Sequence, residues 1–515
     1  MPAASVIPRP RAALAGAVAG LAAIGANELL AGILSGAPSL VVEIGAAIIA
    51  LQPPGAKQLM VDLFGDADKL VFNLMVVAGA LAGSAILGVV ARGRFSLAVL
   101  GFAAAGVGAM AIAILIDPLV EPFLAIVSTV VSVGVGIGVL RLLLTVAAVP
   151  ADAPTAEMPD WSRRRFLGTS IAVAGAAATS GVVGRWLAEQ SRSGPPVGLT
   201  PVPSPVNPLP SLPAGTDLGI EGLSPIITPN PEFYRIDTAL LTPRLEAASW
   251  RLRVTGMVDR ELTYSYDQLL ALPLYEQYVT IACVSNEVGG DLVGNARWTG
   301  ARLRDVLDAA GVWPGATQVV GRSFDGWTCG FPTEWVMTTE REALIAVAMN
   351  GEPLPAEHGF PARLIVPGLY GYVSATKWLT NIELATLEAF DAYWVPLGWA
   401  KEAPILTQSR IDVPREGSTV ASGPVAVAGV AWAPDRGISA VEVQIDDGPW
   451  QPAVLSRPIS DATWVQWQHA WDATPGAHLL RVRASDGTGT VQESRQTPPA
   501  PDGARGYHAI GVTVE

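Results

Sequence analysis

The sequence predicts three architectures in series: an all-α, membrane-compatible region, an α+β domain and an all-β domain. Three observations carry this. Long apolar runs are confined to the first 190 residues or so. From Phe233 onward, strand-like and short helical segments mix without a regular βαβ period. After Phe390 the pattern becomes short alternating strands separated by Asp/Gly turns. The expected boundaries are 1–190, a linker over 191–231, then 232–390 and 391–515. A chain of 515 residues has room for about three domains. Half its residues are apolar and only 15% are charged, too few for a wholly soluble protein. The net charge of −13 excludes a nucleic-acid partner, which needs a basic footprint.

Four runs in the first region reach the ~20 residues that a bilayer requires: about 12–34, 70–90, 95–116 and 122–149. A fifth, about 168–187, is shorter and rich in small residues. Leu40 to Leu51 lies between Pro38 and Pro53 and is too short to cross. With that segment held on one side, Arg9/Arg11, Arg92/Arg94 and Arg163 to Arg165 all fall on the cytoplasmic face. The acidic stretches 62–68 and 117–121, and everything after Leu187, are then outside. That orientation predicts a multi-pass plasma-membrane protein with its later domains extracytoplasmic. Ser162 to Gly168 reads Ser-Arg-Arg-Arg-Phe-Leu-Gly before an Ala/Gly/Val run. It is either a twin-arginine export signal or a topology-setting cluster. None of the four histidines precedes residue 190, so bis-His haem ligation in this region is excluded. Glu28, beside Asn27, is a candidate for a quinone or proton site, or for a structural hydrogen bond with Asn27.

Residues 191–231 are dense in Pro, Gly and Ser, the composition of a semi-rigid spacer. In the next domain Trp250 to Gly256 alternates like a strand, and Tyr266 to Leu270 starts a helix that Pro273 ends. Tyr278 to Ala282 is an apolar run that ends on Cys283, followed by a polar, Gly-rich loop and a helix from Leu303. A thiol at a strand mouth is placed to ligate a soft metal, and it can equally pack as a small hydrophobe. Cys329, in Trp327-Thr328-Cys329-Gly330, reads as a packed free thiol rather than a disulfide partner.

The wider pattern decides for the metal. Cys283-Val284-Ser285-Asn286 leads to Arg297-Trp298-Thr299-Gly300, then Asn350-Gly351-Glu352-Pro353 and His358-Gly359-Phe360-Pro361-Ala362-Arg363, and finally Val366-Pro367-Gly368 and Lys377-Trp378-Leu379. This resembles the sulfite-oxidase family of molybdopterin enzymes and implies its α+β molybdopterin-binding fold over about 225–390. The resemblance implies that Cys283 ligates molybdenum, and that Asn286, in the loop beside it, contacts the cofactor. It implies that His358, Arg363 and Lys377 contact the pterin and its phosphate, with Arg235 of Phe233-Tyr234-Arg235 as a further contact. Arg and Lys suit an anionic, phosphate-bearing cofactor. Gly368 and Gly371 permit close backbone approach.

One departure matters. The family's sulfite oxidases carry an arginine pair soon after the Asn, whereas here Asn286 is followed by Glu287, Val288, Gly289 and Gly290. The electrostatic case for sulfite is weakened, and sulfoxide reduction becomes an alternative. In the last domain, 419–431, 440–445, 465–470 and 478–484 alternate as strands of an antiparallel β-sandwich. It resembles the immunoglobulin-like domain that follows the cofactor domain in the family and implies a homodimer, or else packs only on the catalytic domain. The expected activity is two-electron oxygen-atom transfer on a small molecule, with a separate cytochrome or quinone-linked electron partner. The rival from another class is a cofactor-free membrane scaffold.

Overall fold

The computed structural model describes residues 5–34, 36–51, 63–64, 68–117, 120–150, 160–192, 201–337 and 342–515. Of the acidic stretches expected outside the membrane, residues 62, 65–67, 118 and 119 lie outside the described residues, as do 193–200 of the expected spacer. The chain forms two units. One is Met1–Gly194 with Ala239–Arg244, and the other is Pro195–Thr238 with Leu245–Glu515.

The first unit is helical. Its helices are α1 (Arg9–Ile33), α2 (Leu40–Ala50), α3 (Asp68–Ala91), α4 (Phe95–Ile116), α5 (Pro122–Ala147) and α6 (Asp160–Arg192). All except α2 are long and apolar enough to cross a membrane. The fifth crossing helix runs well beyond the short span expected from its apolar core, because Arg163 to Arg165 continue the helix. Helix α1 packs against α3, α5 and α6 through small residues. A side chain at Gly16, Gly25 or Gly32 would collide with the backbone of Ser84, Ala177 or Gly184 respectively. Leu100, Val130 and Ile171 face outward, as lipid-facing residues do. Asn27 and Glu28 receive the start of α2. Leu40 N donates to Asn27 Oδ1 at 2.9 Å, and the Ser39 hydroxyl donates to Glu28. Both side chains therefore brace the short helix; the hydrogen bond to Glu28 comes from Ser39, whereas the structural alternative paired Glu28 with Asn27.

The second unit is built from four sheets. In the first, β3 (Leu274–Ala282) pairs with β4 (Val293–Arg302), and β4 pairs with β7 (Leu344–Met349). The short strands β8 (Glu352–Pro353) and β9 (Arg363–Ile365) also pair with β7. The second sheet has the order β2 (Leu262–Ser265), β1 (Arg251–Gly256), β10 (Leu379–Ala385), β5 (Gln318–Ser323), β6 (Thr328–Pro332), with β1 and β10 parallel. Helix α7 (Tyr266–Leu270) starts on a capping box between Ser265 and Gln268, and α8 (Leu303–Ala310) ends at Gly311 in the left-handed conformation. This is the mixed α+β arrangement expected from the pattern.

The C-terminal region adds two further sheets. One contains β11 (Gln408–Val413), β13 (Gly423–Trp432), β17 (Val465–Ala473) and β16 (Val454–Leu455). The other contains β12 (Thr419–Val420), β19 (His508–Val514), β18 (Gly476–Asp486), β14 (Ile438–Ile445) and β15 (Gln451–Pro452). Both sheets contribute to one core, with Val427, Trp467 and Trp471 from the first and Val443, Val482 and Ile510 from the second. Each such side chain contributes about 1.5–3 kcal/mol on burial. One pairing departs from the antiparallel expectation: β12 runs parallel to β19.

The spacer expected over 191–231 is, from residue 201 on, a strap bound to the second unit. Val206 N donates to Leu274 O, Leu218 N to Gln466 Oε1 and Thr228 N to Asn295 O, each at 2.8 Å. A Pro-rich segment forms no ladder of its own, so its remaining N–H groups find acceptors on the sheets.

Candidate active site

Strand β3 delivers Cys283 to the mouth of a cavity of about 860 Å³, counting its opening to solvent. The loop after the thiol closes on itself. Cys283 N donates to Leu292 O at 2.9 Å, Asn286 N to Cys283 O at 3.1 Å, and Leu292 N to Asn286 Oδ1 at 2.8 Å. Asn286 therefore shapes the loop and lies outside the cavity wall, where the sequence pattern had placed a cofactor contact. Burial raises the Cys283 pKa, opposed by hydrogen bonds from Ser285 and the charge of Lys377. Cys329 is a buried free thiol, as expected, and accepts a hydrogen bond from Thr376 at 3.0 Å.

His358, Arg363 and Lys377 come together although they span twenty residues of irregular chain. Arg363 is 3% exposed. It donates to His358 O at 3.1 Å and lies over the Trp298 ring at 5.1 Å. A second donor reaches Ala375 O at 3.5 Å; among the described residues its Nε has no partner and the guanidinium has no carboxylate partner. Burial lowers its pKa to about 10, so it remains a cation at neutral pH. An uncompensated buried guanidinium is costly, and an anionic ligand relieves that cost.

Lys377 Nζ donates to Asp237 Oδ2 at 3.2 Å and to Glu357 O at 2.9 Å. Burial takes its pKa down to about 8 against the pull of Asp237. His358 is 2% exposed, and burial, aided by the neighbouring cations, holds its pKa near 3. The ring is therefore neutral. Its Nε2 faces Asn230 O at 2.9 Å and must carry the proton, which leaves Nδ1 as a buried acceptor without a partner. Gly359 holds this cluster tight: its φ is +112°, and a Cβ there would stand 3.0 Å from the Lys377 backbone. Gly371 lines the cavity, whereas Gly368 packs beside Asp435 outside it.

Arg235 is exposed and pairs with Asp237 at 3.3 Å, so it sits behind the wall rather than in it. Asp237 itself was not picked out from sequence. It links Arg235 to Lys377, and its signal is only the two-residue spacing after Arg235. Tyr234 was also missed. Burial and the nearby Cys283 raise its pKa, so it stays protonated in the cavity wall. Trp298 explains part of the Arg297-to-Gly300 block, because it is the platform beneath Arg363.

Comparison with known proteins agrees with this geometry. Residues 239–394 match the family described as the oxidoreductase molybdopterin binding domain. An oxidoreductase of Bacillus subtilis, YuiH, named as uncharacterized, is 36% identical over 154 residues, which are 30% of this chain and 74% of that protein. The chain belongs to the sulfite-oxidase family of molybdopterin-dependent oxidoreductases. Human mitochondrial sulfite oxidase is 33% identical over 321 residues, covering 53% of this chain and 58% of that one. The chain thus spans 52–58% of the length of the mammalian sulfite oxidases it matches. Among solved structures, the sulfane dehydrogenase SoxCD of Paracoccus pantotrophus superposes with a TM-score of 0.49 at 24% identity, covering 57% of this chain and 82% of that one. The family's cofactor is molybdenum bound to molybdopterin, and the residues present fit it. One cavity holds a thiol for the metal, and an unpaired buried guanidinium and an ammonium for an anionic group.

Proposed function

We propose that this protein is a membrane-anchored molybdenum oxidoreductase that transfers an oxygen atom to or from a small molecule. The observation that carries this reading is Arg363, a buried cation without a carboxylate partner among the described residues, which shares a cavity with Cys283 and Lys377. When bound, the cofactor supplies two-electron chemistry coupled to oxygen transfer. The chain's own residues bind and orient it. Cys283 would ligate the metal as a thiolate, since metal binding displaces the thiol proton that burial otherwise retains. Arg363 and Lys377 would hold the phosphate, the first by a forked pair of donors and the second as a point charge. The free Nδ1 of neutral His358 would accept from a pterin N–H. Asp237 keeps Lys377 aimed and Tyr234 donates near Cys283. Arg235 acts from behind, through Asp237, and Asn286 acts by fixing the loop.

Five crossing-length helices and the arginine clusters between them support an anchor in the plasma membrane with the catalytic unit on the extracytoplasmic side. A twin-arginine route at Arg163 to Arg165 suits a protein that folds around its cofactor before export. The domain boundaries near 190, 231 and 390, the immunoglobulin-like character of the last two sheets and homodimerisation belong to the same reading. No group of three or more metal-ligating side chains occurs among the described residues, which favours delivery of electrons by a separate cytochrome or quinone-linked partner. A second reading, sulfoxide reduction, is favoured by the absence of an arginine pair after Asn286. A cofactor-free scaffold is disfavoured by the retained thiol.

The test is metal and pterin content of the full-length, detergent-extracted protein from a molybdate-replete host, alongside Cys283→Ser. About one molybdenum per chain, with the metal–sulfur signature of the protein thiolate lost in the variant, is the expected result. Wild-type protein without molybdenum would leave only the scaffold.

A further inference from the structure

The cavity's half-exposed side is aromatic. Trp327, Trp394 and Trp399 line it with Tyr372. Trp394 and Trp399 meet edge to face at 6.2 Å, and Trp399 and Tyr372 meet at a tilt with centroids 5.8 Å apart. The group is fixed: the Tyr372 hydroxyl donates to Ala400 O at 2.6 Å, and Trp399 N donates to Trp394 O at 3.3 Å. Tyr372 is buried and the three indoles are partly exposed, so the group offers an ordered apolar surface on which an organic group can pack.

The charges in the wall sort just as clearly. Its two cations are Arg363 and Lys377, and Lys377 is already paired. Its two anions are Asp237 and Asp325, the latter braced by the Trp327 N–H at 3.2 Å. Arg410 reaches the Cys283 loop, yet its guanidinium is committed to Asp412, Gly290 O and Ser224. Once an anionic cofactor takes Arg363 and Lys377, the charged groups left in the wall are the Asp325 carboxylate and Asp237, the latter still paired with Arg235. A small dianion would meet repulsion there, whereas an uncharged organic group would bury apolar area against the rings.

We propose that Trp327, Trp394, Trp399 and Tyr372 form a specificity rim that seats the apolar substituent of an uncharged organic substrate, with Asp325 excluding small inorganic oxyanions. This rests on the functional reading above and adds the substrate class. Sulfite is outside that class. An aryl sulfoxide lies within it: its apolar ring stacks on the rim while its sulfur–oxygen group faces the cofactor end.

The experiment uses full-length, molybdenum-loaded enzyme in detergent, with methyl phenyl sulfoxide and sulfite as probes. In the reductive assay, two reduced viologen molecules each give one electron. With two protons they convert the sulfoxide to thioether and water. In the oxidative assay, sulfite and water would give sulfate and two protons, with two ferricyanide ions each accepting one electron. Quenching of tryptophan fluorescence follows binding of each probe independently of turnover. The sulfoxide should bind saturably and sulfite should not. Trp399→Ala should raise both the dissociation constant and KM about tenfold, with kcat changed no more than about twofold, and Trp399→Phe should retain most of the affinity. Asp325→Asn should improve the response to sulfite. Molybdenum content and thermal unfolding of each preparation separate the outcomes. Metal-loaded, folded enzyme that prefers sulfite, or whose sulfoxide affinity ignores Trp399→Ala, overturns this inference alone. Protein without molybdenum overturns the functional reading and this inference with it.

Discussion

Two clusters of buried charge lie in the second unit, and they are finished in opposite ways. In the C-terminal region Asp486 is 2% exposed, and its oxygens are fully occupied. Arg436 Nε and Thr407 Oγ1 each donate to Oδ2 at 3.0 Å, while Thr488 and the Thr490 N–H donate to Oδ1. Burial pushes the Asp486 pKa up, but these donors outweigh it and the net shift is down. Around Arg363 the accounting does not close. Its Nε, His358 Nδ1 and Glu357 Oε2 are all buried without partners. Burial of charge is therefore not itself the mark of a site here. An open donor in a cavity wall, as at Arg363, is; His358 and Glu357 adjoin it in the chain but are not among the lining residues.

Substitutions at the two clusters should separate them. The largest effect is expected at Cys283. Cys283→Ser should lower turnover by at least about a hundredfold, with thermal unfolding of the apo-protein nearly unchanged, because a hydroxyl packs where the thiol did and ligates the metal poorly. Activity within a few-fold of wild type would remove the thiol from the mechanism. At the closed cluster, Arg436→Met leaves Asp486 buried with fewer donors. It should cost about 3 kcal/mol, equally with and without molybdenum, as read by denaturant unfolding. A cost that depends on the cofactor would erase the contrast between the clusters.

How much of this was legible in the sequence differs element by element. The strand ending at Cys283, the capped helix at Tyr266 and the helix from Leu303 follow from local periodicity and were found where expected. The five helices long and apolar enough to cross a membrane, and the shorter α2, follow from length and composition. His358, Arg363 and Lys377 could be named because they sit in a recognisable run, and the fold does assemble them. Asp237, Tyr234 and the aromatic rim could not. They come from segments some twenty to a hundred and sixty residues apart, and no local pattern says that Trp327 and Trp399 share a wall. Asn286 was named as a cofactor contact; its Oδ1 accepts from the Leu292 N–H of its own loop, and it is not among the residues that line the cavity.

Two smaller effects follow from ionisation. Lys377 in the apo-site titrates near 8, so it is protonated below that pH and loses its charge above it. Cofactor retention during dialysis should fall a few-fold between about pH 7 and pH 9, and Lys377→Arg should flatten the decline. Retention that does not change across that window would exclude Lys377 as a phosphate ligand. His358 has its folded pKa depressed to about 3 from an ordinary 6.5. Between those values the unfolded chain binds the proton and the folded chain does not. The contribution is fully present above about 6.5 and is lost as pH falls toward 3. His358→Gln should therefore show a shallower loss of stability on that acid limb, and an identical slope would contradict a neutral buried imidazole.

The most direct measurement is thermal unfolding of Arg363→Met against wild type, each prepared with and without molybdate. If Arg363 is a cation waiting for an anionic cofactor, the substitution should stabilise the apo-protein by on the order of 1–2 kcal/mol and abolish cofactor loading. Destabilisation of the apo-protein together with normal molybdenum and pterin content would contradict the account, because Arg363 would then be a structural residue whose partners are already in place.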